Sequence, residues 1–254
     1  MQSKHTLAEG NMNKKHWLAG LAILALIVMG ACAAPAAPTL TIGENYKPVI
    51  DPANFVAEIN HPYFPLKPGT VYEYLGDNDG QQEKVVVEVL YDTKTIMGVI
   101  CVVVTDTVWI DEVLVESTFD WYAQDKDGNV WYMGEDTKEL ENGEVVSTAG
   151  SWEGGIHGAQ PGIIMLANPQ VGDAYRQEYF AGEAEDMAQI LSLSEALTIG
   201  FGSYDKVLVT KEWTPLEPGV AEQKYYAEGI GLVMVEVTEG GAGRVELVKV
   251  TIPE

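Results

Sequence analysis

Cysteine, histidine and positive charge are all scarce in this chain, and each scarcity removes a class of protein. Its 254 residues carry 2 cysteines, 4 histidines and 15 Lys and Arg against 38 Asp and Glu, for a formal charge of −23. Two cysteines build neither a disulfide scaffold nor a Cys-rich zinc module. So acidic a balance excludes a nucleic-acid binder, which needs a basic footprint for the phosphate backbone. There is no G-x-S-x-G, no H-E-x-x-H, no Walker loop and no G-x-G-x-x-G after a strand. Apolar residues at 46% are still enough for a packed core, so disorder throughout is excluded.

The one long hydrophobic run is WLAGLAILALIVM, residues 17–29, preceded by Lys14, Lys15 and His16. It falls short of the ~20 apolar residues of a membrane span. A basic lead followed by an apolar run of this length is a secretory signal. MNKKHW from Met12 makes the better lead, so either Met1 or Met12 is the start. The run ends Val28-Met29-Gly30-Ala31-Cys32, which resembles a bacterial lipobox: small residues before a cysteine that becomes the acylated first residue. Cleavage after Ala33, within Ala31-Cys32-Ala33, is the rival. AAPAAPT (33–39) then reads as an extended spacer. The expected organisation is a signal peptide over 1–31, an Ala/Pro-rich tether over 32–43, and a single β domain over 44–254 that begins with an extended Pro-rich arm, 44–70. Processing leaves His61, His157 and, apart from the acylated Cys32, Cys101. A lone thiol within VICVVV reads as an inert buried side chain.

From Val71 onward the pattern has period two, broken by Gly, Asn and Asp turns. KVVVEVLYD (84–92), VICVVVTDTVWI (99–110), VLVESTFDWYAQ (113–124) and NVWYMGE (129–135) predict successive strands, and Asn142-Gly143 predicts a tight hairpin. The VVV and VICVVV runs do not alternate, so those strands are expected to be covered on both faces. Residues 152–173, with five glycines and two prolines, read as a long loop holding one short apolar stretch. AYRQEYF (174–180) reads as one strand; residues 184–193 fit a helix or a strand, with strand favoured by the hairpin rhythm around them. The fold class is mainly β: one antiparallel meander curled into a barrel or half-barrel, with little helix beyond the signal peptide.

Three segments carry a resemblance: IDPANFVAEINHPYFPLKPGTVYEY (50–74), TFDWYAQDKDGNVWYMGED (118–136), and TIGFGSYDKVLVTKEW followed by KYYAEGIGLVMVE (198–213 and 224–236). They resemble a group of bacterial secreted proteins and lipoproteins, and more broadly the curved β-sheet periplasmic proteins of the lipoprotein-carrier type. The resemblance implies the fold and an envelope location. It implies no activity, and a fold alone supplies none.

Candidate sites are few. Asp125, Asp127 and Asn129 place oxygen donors in the DKDGN turn, which suits calcium. The same residues also make an ordinary hairpin turn, since Asp and Asn hydrogen-bond their own backbone. Trp121 and Trp131 flank that turn and read either as cross-strand core pairs or as a strip for sugar or peptide. His157 sits in the Gly-rich loop, where sites are often carried. No catalytic residue is assigned. The expected function is a lipid-anchored β protein of the cell envelope, on its periplasmic or extracellular side, with a binding or structural role. Its partners would be the membrane, through lipid on Cys32, and a small molecule, glycan or protein. Apart from calcium no cofactor is expected. The alternative is a carboxylate-dependent hydrolase acting on polysaccharide.

The lipobox generates the first prediction. Cells expressing the full chain with labelled palmitate should yield labelled protein, and Cys32→Ser should abolish the label; retention of label in the variant refutes the assignment.

Overall fold

The computed structural model describes residues 46–253, so Cys32, the signal segment and the tether lie outside the described residues. After a single 3-10 turn at Pro52–Asn54 come β1 (Phe55–Val56), β2 (Ile59–His61) and β3 (Phe64–Leu66). Five long strands follow: β4 (Val71–Asn78), β5 (Gln81–Ile96), β6 (Val99–Ile110), β7 (Val113–Asp125) and β8 (Val130–Glu141). Shorter strands come next: β9 (Glu144–Ser147), β10 (Trp152–Glu153), β11 (Gln160–Met165), β12 (Ala174–Arg176) and β13 (Glu178–Tyr179). A second long set ends the chain: β14 (Met187–Ile199), β15 (Gly202–Trp213), β16 (Ala221–Ala227), β17 (Gly231–Glu239) and β18 (Gly243–Thr251).

Two antiparallel meanders, β4–β8 and β14–β18, join where β18 pairs with β4. The full path runs β12-β14-β15-β16-β17-β18-β4-β5-β6-β7-β8-β11-β13. Its two ends, β12 and β13, are separated in sequence by Gln177 alone. The sheet therefore curls until its edges meet, and it is nearly closed into a barrel. Curling of this kind hides strand edges that would otherwise pair with other chains.

The barrel interior is the main core, with Tyr72 and Tyr74 of β4, Val102 and Val104 of β6, Ile190 of β14, Leu208 of β15 and Leu247 of β18. A second cluster on the outside of β5–β8 joins Ile96, Cys101, Val103, Trp121 and Met133, with Ile50 and Phe55 of the lead-in packed on it. Strand β6 is thus covered on both faces, as its unalternating Val run predicts. Cys101 is fully buried there, and burial pushes its thiol up to about 12.

Three elements differ from the sequence expectation. The Pro-rich arm is a hairpin, β2 against β3, because Pro62-Tyr63 occupies a two-residue turn and proline favours the second position of such turns. His61 is buried: its Nδ1 accepts from Tyr63 N at 3.1 Å and its Nε2 lies 3.1 Å from Leu166 O. Second, the expected loop 152–173 contributes β10 and β11, and β11 completes the wall beside β8. Third, 174–180 is split at Gln177 between opposite ends of the sheet. Between the helix and strand readings of 184–193, strand holds from Met187.

Glycine hid β11 from the sequence pattern, and the seam explains that glycine. A Cβ on Gly162 would lie 2.3 Å from both C and O of Gln177 and 2.6 Å from Arg176 O. Only a residue without a side chain lets β11 pass the backbone that closes the barrel. Gly162→Ala should cost about 1–3 kcal/mol in chemical denaturation, the range for overpacking. Gly200→Ala, where a Cβ meets nothing within 4 Å, should cost far less; equal losses would refute the seam constraint.

Candidate functional site

The DKDG turn is closed by its own side chains. Asp125 accepts hydrogen bonds from Asn129 N (2.9 Å), Asn129 Nδ2 (2.9 Å) and Trp131 Nε1 (2.8 Å). Asn129 Oδ1 in turn accepts from Ala167 N at 2.9 Å, tying the turn to the loop after β11. Asp127 is exposed. Two of the three expected oxygen donors are therefore committed to N–H groups. Among the described residues no group of three or more His, Cys, Asp or Glu is placed to hold a metal ion. Trp131 packs edge-on against Phe55, centroids 6.3 Å apart, and both pack on the cluster that contains Trp121.

The structure does bring Trp121 and His157 together. They line one cleft of about 360 Å³ with Lys94, Glu135, Asp136, Ser151, Trp152, Glu153, Ile156, Ala159 and Phe180. The Lys94 ammonium stands 3.2 Å from the centroid of the Trp121 ring and 2.7 Å from Glu153 Oε2. His157 is exposed at the tip of a tight turn, held in the left-handed region at φ 51. Ala159 N donating to Ile156 O, and Gly155 N to Ala159 O, both at 2.9 Å, fix that turn.

A β-bulge sets which way Glu135 points. Trp121 pairs with Gly134 but Tyr122 pairs with Tyr132, so Met133 is the extra residue on β8. In a regular strand Tyr132 and Glu135 would face opposite ways; the bulge puts both on the face shared by Tyr122 and Asp120. Gly134 permits it, at φ 144, where a Cβ would lie 2.5 Å from Trp152 O.

Behind Glu135 lies an acidic layer that sequence reasoning missed. Strand register sets Asp120 opposite Glu135, Asp106 opposite Thr118, and Glu212 opposite Glu222. Tyr132 Oη donates to Asp120 at 2.5 Å, Thr137 Oγ1 to Glu135 at 2.6 Å, and Trp152 Nε1 to Glu178 at 2.5 Å. Lys224 is the counter-ion, 2.8 Å from Glu212 Oε2 and 3.1 Å from Glu222 Oε1. Burial works against its charge, but Glu212 and Glu222 outweigh burial and hold the ammonium well above its ordinary pKa. The i, i+2 series Glu116, Thr118, Asp120, Tyr122 was the available signal, since it marks one polar face on a strand. What it lacked was the information that this face is the interior.

Burial raises the carboxyls of this layer, and their mutual repulsion adds to it. Asp106 is raised to about 7, by burial and then by Glu116; Asp120 also to about 7, by burial and then by Asp106. Glu135 is raised to about 8 by burial and Asp120. Asp186, which keeps solvent contact, reaches about 6 by desolvation, with Lys224 opposing. Burial and the neighbouring Asp186 hold Glu178 well above the usual carboxylate range. Asp106 Oδ1 is shut from solvent with no hydrogen-bond partner. Protonation is the cheap way to keep such groups inside.

No protein-family model matches the chain, and no curated protein sequence matches it. Two solved structures are similar in outline. One is a protein of Bacteroides fragilis described as exported and as having a YmcC-like fold, at 15% identity and a TM-score of 0.45, covering 76% of this chain and 100% of that one. The other is a protein of Parabacteroides distasonis described as a lipoprotein, at 12% identity and a TM-score of 0.35, covering 74% of this chain and 98% of that one. Likenesses this weak carry no argument about what this chain does.

The acidic layer makes stability depend on pH. The folded carboxyls titrate near 6–8 and the unfolded ones near 4. The native state therefore retains protons that the unfolded state releases, and stability falls as pH rises through that window. The melting temperature should drop by roughly 5 °C or more between pH 5 and pH 8.5. Asp120→Asn should flatten the slope, and a slope unchanged in that variant would refute the assignment.

Proposed function

We propose that the chain is a lipid-anchored binding module of the cell envelope, attached through Cys32, with its ligand seated in the cleft of Trp121 and His157. The observation that carries this reading is an open cleft of about 360 Å³ on the barrel wall, where Trp121, Trp152, Ile156 and Phe180 stand beside several charged side chains. Its size is at the low end of small-molecule sites, and its lining is more polar than theirs. The placement suits an anchored protein. Tyr46, the first described residue, donates to Pro161 O at 3.0 Å and packs edge-on against Tyr179, next to Phe180 of the cleft. The 13 residues between Cys32 and Tyr46 span at most about 50 Å, so the cleft would work close to the membrane.

The binding reading is tested on protein purified gently from envelopes and then extracted with organic solvent. Mass spectrometry should find one small molecule released from the wild type and depleted in Ile156→Trp, which crowds the cleft mouth. Identical extracts from the two would remove the reading.

A further inference from the structure

We infer that the ligand of this cleft is an organic cation, a primary or secondary ammonium on a short aliphatic chain; the inference rests on the binding reading above. The cleft already holds such a group. The Lys94 ammonium lies on the Trp121 face at 3.2 Å from the centroid and beside Glu153 at 2.7 Å. An indole face flanked by a carboxylate is a seat for an ammonium ion, attracted by the ring quadrupole and by the charge together. Lys94 and Glu153 are each 34% exposed, so the lysine head is free to yield its place to water and to an incoming ion.

A further acid of the cleft favours the same sign: Asp136 lines it beside Glu153. The formal charge of −23 draws cations towards the whole surface, so the test must separate this seat from diffuse attraction.

Spermidine is the probe, with cellobiose and citrate as neutral and anionic comparisons, titrated by calorimetry into the processed protein in detergent at moderate salt. Spermidine should bind and the other two should not. Glu153→Gln, a rim change that leaves the barrel core intact, should weaken spermidine at least tenfold. Lys94→Ala, which empties the seat, should tighten it at least threefold. Lys138→Ala removes the same charge from the ion pair with neighbouring Asp136 and should leave affinity within twofold. Equal spermidine affinity in all variants would reduce the effect to screening and overturn the inference. Binding of cellobiose or citrate in place of spermidine, weakened by Ile156→Trp, would overturn the cation while leaving the binding reading intact. Binding by none of the three would overturn the inference, and the extraction experiment would then decide the binding reading by itself.

Discussion

The ammonium of Lys224 is what lets this barrel close around so much acid. It sits between Glu212 and Glu222 on the inner face of the second meander, and its charge reaches Asp106, Asp120 and Asp186 across the interior. An ion pair of this kind is worth little against a well-packed apolar substitute, yet losing one partner strands the other in a low-dielectric interior. Two solutions to buried charge stand side by side here. Glu212 is neutralised by a fixed cation. Asp106, Asp120 and Glu135 are instead raised by burial and mutual repulsion to about 7–8, so protons share the work.

That division shapes the rest of the molecule. Hydroxyls, rather than basic groups, donate to the acids away from Lys224: Tyr132 to Asp120 and Thr137 to Glu135, each favouring the ionised form that burial opposes. Positive charge is spent at the rim instead, where Lys94 lies on Trp121 against Glu153. The bulge at Met133 keeps inner acid and outer cation apart: it turns Glu135 to the inner face, while Lys94, Trp121 and Glu153 share the outer one.

Much of the fold was legible in residue pattern alone. The unalternating VICVVV run gave a strand covered on both faces, and the Asn and Asp turns gave the hairpins. The site was legible only in fragments. Trp121 and His157 stand 36 positions apart in sequence, and what joins them is β10 pairing with β8 at Glu135 and Gly134, a long-range event that no local pattern encodes. Trp131, as plausible as Trp121 by position, shares its face, but Asp125 and Phe55 hold it farther along the strands, outside the cleft lining. The acidic layer was hidden for a related reason. Among so many carboxylates, strand register decides which ones meet, and a one-residue bulge changes the answer. Strand β11 was concealed because its glycine serves a neighbour's backbone rather than its own turn.

The seam at Gln177 has a mechanical meaning. Elsewhere the barrel's girth is set by ladders of hydrogen bonds, which stretch and breathe. At this point the two free edges are tied by a single residue of covalent chain, a clasp rather than a zipper. Such a clasp can fasten only after both meanders have formed, because β13 leans on β11 and β8 while β12 leans on β14. Closure is accordingly a late and non-local event, of the kind that slows folding. Once fastened, it leaves neither edge able to lift away without dragging the opposite end of the sheet with it.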